Sequence, residues 1–232
     1  DVVIGDGTWI GPHAVIWNGA RVGRHCRIFP GASVSGAPQD LKYQGEPTTL
    51  EVGDNTVVRE CVTLNRGTME SGTTAIGSNC LFMAYSHVAH DCKVGSHVIL
   101  ANFCALGGHV KLGDWVIIGG LTPVHQFVNI GGHTMIGGGF RVTKDVPPFI
   151  LAGHEPLMFE GLNSLGLKRR GFTQKTIGLL EKTYDLMYRS NLNVTQAVAR
   201  IKQELEMIPE VQGVIDFITQ SDRGIIPGKR RS

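Results

Sequence analysis

Large rings are scarce in this chain: Phe, Trp and Tyr make up 7% of its 232 residues, although 42% are hydrophobic and 31 are glycine. A core must therefore be assembled from small and branched aliphatic side chains, which favours a thin, regular one. Cysteine is also sparse. Cys26, Cys61, Cys80, Cys92 and Cys104 form an odd set without a C-x-x-C pair, which argues against a disulfide framework and a zinc site and fits a reducing compartment. No run of ~18 apolar residues and no charged-then-apolar leader occurs, so neither a membrane span nor a signal peptide is indicated, and a cytoplasmic protein is expected. The net charge of +2 is too mild to imply a nucleic-acid partner. The basic tail Lys229-Arg230-Arg231 offers a contact for an acidic partner, but a frayed terminus is the simpler reading. The chain opens at Asp1 inside a repeat and without methionine, so further N-terminal residues are expected in the natural protein.

What the chain has instead is a six-residue period. An aliphatic or aromatic residue recurs at Ile4, Ile10, Ile16, Val22, Ile28 and Val34, at Val52, Val58 and Leu64, and at every sixth position from Ile76 to Val142; only Asp40, Glu46 and Glu70 break it. Two positions earlier stand small or branched residues such as Ala14, Ala20, Cys26, Ala32, Cys80, Cys92, Cys104 and Val116, so both positions are expected to face inward and four cysteines read as core. Glycine often follows the aliphatic residue, as at Gly5, Gly11, Gly53, Gly77 and Gly107, and is expected to serve a tight turn. A hexad of short strand and turn is the signature of a parallel β-helix, three hexads closing one triangular coil of about 18 residues. The expected fold is mainly β: a hexapeptide-repeat parallel β-helix over residues 1–150, with loops leaving the coils near 36–50 and 67–74. Loops that interrupt so strict a repeat are more often functional than accidental.

Past Asp145-Val146-Pro147-Pro148 the period changes. Ile177, Leu180, Tyr184 and Tyr188 keep helical spacing from an N-cap at Thr173, Val194, Ala197, Ile201 and Leu205 from Asn193, and Val211, Val214, Ile215 and Ile218 follow Pro209. Residues 151–232 are therefore expected to form a small helical domain that caps the open end of the β-helix.

Wrapping the numbering on 18 residues gathers polar chemistry at one corner. His87, His90, His109 and His125 fall within a few positions of one another on successive coils, and Gln126 shares the place of His90. Stacked coils lie ~4.8 Å apart, so the cluster spans a small-molecule site. Asp91 is placed to hold the His90 imidazole as a base. A zinc site of the kind found in hexapeptide-repeat carbonic anhydrases is an alternative, but no carboxylate or cysteine completes a ligand spacing, so no metal is expected.

The runs P-Q-D-L-K-Y-x-G-E-P-T (38–48), N-R-G-T (65–68), H-V-A-H-D-C (87–92), V-H-Q-F (124–127), D-V-P-P (145–148) and G-L-K-R-R-G-F (166–172) resemble the UDP-N-acetylglucosamine 3-O-acyltransferase family of lipid A biosynthesis, over nearly the whole chain. The resemblance implies a left-handed β-helix, a homotrimer with active sites between subunits, and a cytoplasmic enzyme. It implies transfer of a 3-hydroxyacyl group from the phosphopantetheine thioester of acyl carrier protein to the 3-hydroxyl of UDP-N-acetylglucosamine, without cofactor or acyl-enzyme. Carried over by residue, it makes His90 the general base, Asp91 its orienting partner and the Gly108 N–H the oxyanion donor. Gln39, Asp40, Lys42, His87, His109, His125 and Gln126 then contact sugar nucleotide or acyl chain, and Asn163, Arg169 and Arg170 the nucleotide side. Without the resemblance, Lys168-Arg169-Arg170 reads as a solvated basic turn. Gly138, in Gly137-Gly138-Gly139 above Gly120 and Asn102, matches the ruler that sets acyl length. Leu165 departs from the pattern, standing where some members carry an acidic residue. Two rival readings are the N-acyltransferase of the same pathway and a non-catalytic β-helix scaffold.

Overall fold

The computed structural model describes residues 1–228, so the basic tail 229–231 lies outside the described residues. From Val3–Ile4 to Met135–Ile136, twenty short strands form three parallel sheets, each strand pairing with the third one along the chain. The sheets are the faces of a β-helix. Plain coils hold 18 residues, as in the pairing of Val88 with Leu106. Val22 instead pairs with Val52, and Val52 with Ile76, so the two loops add twelve and six residues. Both insertions are whole hexads. The six-residue register therefore runs unbroken in the numbering across segments that leave the coil.

Inside, Ile28, Val34, Leu64, Val88, Leu100, Leu106 and Ile118 are buried, and the small positions between them are filled by Ala20, Cys26, Ala32, Cys80, Cys92, Cys104 and Val116. Burial pushes the Cys92 and Cys104 thiols up to about 12, which makes them inert core residues.

The glycines after the aliphatic residue have a different cause from the one expected. None of Gly5, Gly11, Gly53, Gly77 and Gly107 has a left-handed backbone. They are required because coils touch there: a Cβ on Gly53 would lie 2.6 Å from the Gly77 carbonyl carbon, and one on Gly77 2.7 Å from that of Gly95. The left-handed residue is the third after the aliphatic one, and it is mostly not glycine. Asn79, Tyr85, Asp91, His97, Phe103, His109, Trp115, Leu121, Phe127 and His133 have φ between 59 and 64°. Such backbones cost on the order of 1 kcal/mol each, and ring stacking between coils offsets part of that, with centroids 5.0 Å apart for Tyr85–Phe103 and 3.8 Å for His97–Trp115.

One sheet continues past the last hexad through Ile150–Gly153, which pairs antiparallel with Met158–Leu162. Four helices follow: α1 (Ser164–Arg169), α2 (Gln174–Tyr188), α3 (Val194–Glu204) and α4 (Pro209–Thr219). Thr173 and Asn193 cap α2 and α3, the latter with Gln196 in a capping box, and Pro209 opens α4. Ile177, Leu180 and Tyr184 of α2 are buried. Tyr184 donates to the Pro148 carbonyl and stacks 5.3 Å from Phe159, so α2 covers the end of the prism. The short helix α1 falls where the spacing suggested only a basic turn, and Asn163 caps it.

Candidate active site

Successive coils place Asp91, His109 and Phe127 one above the other at a single corner, all left-handed, with His90, Gly108 and Gln126 just before them. The His90 and His109 rings meet edge-on at 5.2 Å, and His109 stacks on Phe127 at 4.4 Å. His90 Nδ1 lies 2.7 Å from Asp91 Oδ2. Since an ionised carboxylate only accepts, Nδ1 carries the proton and Nε2 is left with its lone pair. A Cβ on Gly108 would fall 2.6 Å from His90 Cε1, so glycine there makes room for the ring. Among the described residues, the Gly108 N–H donates to no backbone acceptor.

Asp91 is buried and strongly held. It accepts from the Thr68 N–H at 2.9 Å, the Thr68 hydroxyl at 2.7 Å, the Ser71 hydroxyl and His90. Burial pushes its carboxyl up, but the hydrogen bonds from Ser71, His90 and Thr68 outweigh that and bring it down to about 2. The carboxylate is ionised at any ordinary pH.

The two inserted loops wall a cleft of about 850 Å³ above this corner, lined by Gln39, Asp40, Lys42, His90, His109 and Gln126 among others. Arg66 ties the loops together, donating to the Tyr43 hydroxyl at 2.7 Å and the Ser35 carbonyl at 2.9 Å. Exposed Leu41, Met69 and Phe127 give the mouth an apolar side. The cleft thus offers acceptors, donors and one cation beside an apolar wall, and an imidazole with a free lone pair at its floor.

Other expected residues stand apart within the single chain. His87 lies on the adjacent face, its Nδ1 2.7 Å from the Thr63 hydroxyl, and burial pushes its imidazole down, with His90 adding to the shift. His125 is exposed and contacts Arg223 at 3.3 Å. The Asn163 side chain is spent on structure, accepting from the Gly166 N–H and donating to the His133 carbonyl. Arg169 is exposed, whereas Arg170 is not a solvated turn residue: its guanidinium packs 5.1 Å from the Trp115 ring. Gly138 sits over Gly120, and Gly120 over Asn102, each close enough that a Cβ would meet the carbonyl below at 3.0 Å.

Sequence spacing did not reveal Thr68 and Ser71, since they reach Asp91 through a loop. It also missed that Asp91 joins His90 and His109, with ligand atoms all within 4.8 Å, in a group of metal-ligand type. That group fits an ion poorly. A carboxylate has about four lone-pair sites, and Asp91 already accepts four hydrogen bonds, while His90 Nδ1 is turned to Asp91 rather than outward.

Residues 145–226 match the family profile described as UDP-N-acetylglucosamine O-acyltransferase, domain 2, and residues 1–36 and 73–108 that of the bacterial transferase hexapeptide. An acyl-[acyl-carrier-protein]–UDP-N-acetylglucosamine O-acyltransferase of Thermodesulfovibrio yellowstonii is 45% identical over 97% of this chain and 88% of its own length. The protein of that name from Chlorobaculum parvum is 54% identical over 89% of this chain and 78% of its own. The structure of LpxA from Acinetobacter baumannii superposes with a TM-score of 0.93 at 44% identity, covering 97% of this chain and 88% of that one. These likenesses accord with the left-handed form of the β-helix.

Proposed function

Because the chain belongs to the UDP-N-acetylglucosamine O-acyltransferase family and is an O-acyltransferase, we propose that it moves a 3-hydroxyacyl group from acyl carrier protein to the 3-hydroxyl of UDP-N-acetylglucosamine, the first step of lipid A biosynthesis, with His90 as general base. The observation that carries the chemistry is the His90–Asp91 pair at the floor of the cleft. With Nδ1–H held by Asp91, His90 Nε2 takes the proton of the sugar hydroxyl as its oxygen attacks the thioester carbonyl. The ionised Asp91 stabilises the imidazolium formed. The tetrahedral oxyanion takes a hydrogen bond from the Gly108 N–H. Collapse breaks the carbon–sulfur bond, and Nε2 returns its proton to the departing thiolate. The new ester needs neither an acyl-enzyme nor a cofactor.

Gln39, Asp40, Lys42, His109 and Gln126 bind the sugar nucleotide or acyl chain in this reading, with His87 and His125 beside them. A homotrimer is part of it, because the cleft is open on one side and needs an opposing wall. An outward apolar column supports that assembly: Leu81, Ile99, Ile117 and Met135 lie in register on neighbouring strands. A neighbouring chain then supplies Arg169 and Arg170 to the nucleotide, with Asn163 holding the helix that bears Arg169, and Gly138 to the far end of the acyl chain. Arginine suits phosphate through its paired donors. A cytoplasmic site of action is part of the same reading; no described helix is long and apolar enough to cross a membrane.

The test supplies 3-hydroxyacyl carrier protein with either UDP-N-acetylglucosamine or its 3-amino counterpart. An ester at the 3-oxygen is the expected product. An amide formed only on the amino sugar would overturn the reading in favour of the N-acyltransferase, and no product from either would favour a scaffold.

A further inference from the structure

We infer that the loop following Asn65 is a clamp on the catalytic pair, in which Thr68 and Ser71 are positioning residues that hold the Asp91 carboxylate against His90. The inference rests on the reading of His90 as the base and adds the means by which that base is aimed.

The six residues that this loop adds to a plain coil give up one hexad of stacking. Besides walling the cleft with Met69 and Glu70, they gain three hydrogen bonds to one buried carboxylate, that of Asp91. Thr68 reaches both carboxylate oxygens, its N–H to Oδ1 and its hydroxyl to Oδ2, and the Ser71 hydroxyl approaches Oδ1. The Ser71 hydroxyl also lies 2.8 Å from the Thr73 carbonyl. It has one proton, and a charged acceptor makes the stronger bond, so the proton goes to Asp91. The loop is itself fixed: the Gly67 N–H donates to the Thr49 carbonyl, the Gly72 N–H to the Thr68 carbonyl, and the Thr68 hydroxyl accepts from the Glu70 N–H at 3.2 Å. On the other side, the Asp91 N–H donates to the Thr74 hydroxyl at 2.8 Å.

A clamp is needed because two imidazoles compete for one oxygen. Asp91 Oδ2 lies 2.7 Å from His90 Nδ1 and 3.6 Å from His109 Nε2. A free carboxylate turning about its own bonds would pair with either ring. The three loop donors fix its plane so that Oδ2 serves His90, while Glu70, on the same loop, stands 3.5 Å from His109 Nε2 and gives that ring its own carboxylate. The depressed Asp91 pKa agrees with this geometry, since burial alone would raise it.

The test compares Ser71→Ala, Thr68→Val, the double variant and the conservative Thr68→Ser in the full-length protein. At saturating substrates, each single deletion of a hydroxyl bonded to a charged group is expected to lower kcat roughly tenfold and the double variant roughly 10²-fold. KM for the sugar nucleotide should stay within about threefold, since both hydroxyl protons are spent on the Asp91 carboxylate, and Thr68→Ser should restore the rate. A downfield proton resonance assigned to His90 Nδ1–H by its loss in His90→Ala should shift or broaden in the double variant. Ser71 is on the exposed side of its loop, so Ser71→Ala does not put folding at stake. A double variant with the unaltered kcat and an unmoved resonance would overturn the clamp, as would a rise in KM without a fall in kcat. A folded His90→Ala variant that keeps full activity would instead overturn the assignment of the base, and the resonance would still report on the clamp.

Discussion

Adding one methyl group at Gly108 should disarm the site without removing any catalytic atom. The Cβ of Gly108→Ala would stand 2.6 Å from Cε1 and 2.8 Å from Nε2 of His90. Unbonded carbons rest at about 3.5–4.0 Å, so the ring must retreat by about 1 Å. A displacement of that size at a reacting group costs on the order of 10²-fold in rate, about 2.7 kcal/mol of barrier. Alanine keeps the N–H, so the oxyanion donor survives and the loss reports on the position of His90. Initial rates of thiol release with saturating acyl carrier and sugar nucleotide give kcat, and a thermal melt shows whether the coil holds. Gly132→Ala is the control: its Cβ would meet the Asp114 carbonyl at 3.1 Å, and Gly132 is not among the residues lining the cleft. The control should melt like the Gly108 variant and retain its rate. A folded Gly108→Ala protein with kcat within about twofold of the parent would refute the argument, because the ring would then have tolerated a clash of that depth.

Gly138→Met should shift donor preference toward chains several carbons shorter, each buried methylene being worth ~0.8 kcal/mol; an unchanged chain-length profile in a stable variant would remove Gly138 from the site. Lys93 and Lys111, exposed on neighbouring strands in register two residues past Asp91 and His109, add basic groups to Lys42 of the cleft. Activity with an acidic carrier protein should therefore fall with added salt through a rising KM, and less so in Lys93→Gln/Lys111→Gln; a salt-independent KM would contradict this. Asp91 has a folded pKa of about 2, below its usual 3.8, so its contribution to stability is present above pH 3.8 and is lost as pH falls toward 2. Acid unfolding of Asp91→Asn should lack that component, and identical acid limbs would deny it. Burial, with Arg170 adding, holds His133 down at about 4 against 6.5, so stability should decline as pH drops from 6.5 to 4, and His133→Gln should flatten that decline in melting temperature.

The β-helix was legible because a hexad repeats its burial pattern in every turn, and because insertions of twelve and six residues leave that pattern in phase. The burial of Cys26, Cys80, Cys92 and Cys104 followed from the same logic, as did the helix starts at Thr173, Asn193 and Pro209, where capping chemistry is local. The role of the glycines was not legible. A glycine needed for a left-handed turn and one needed for contact between coils look alike in one dimension, and only the stacking distance tells them apart. The histidine corner was half legible: counting by 18 brought His90 and His109 together, yet it could not show that His125 faces outward toward Arg223. Thr68 and Ser71 escaped because their partner is reached across a loop, where sequence separation carries no geometric meaning. Asn163 was read as a binding residue, but in the single chain its polar atoms are taken by a helix cap and a carbonyl.

The central claim is that His90 removes the proton of the attacking hydroxyl. A single-turnover assay with 3-hydroxyacyl carrier protein and UDP-N-acetylglucosamine, comparing the parent with His90→Ala and resolving the ester at the 3-position, tests it most directly. The account predicts a rate roughly 10²–10⁴-fold lower in a variant that remains folded and binds the sugar nucleotide as before. A folded His90→Ala protein forming the same ester at a comparable rate would contradict it.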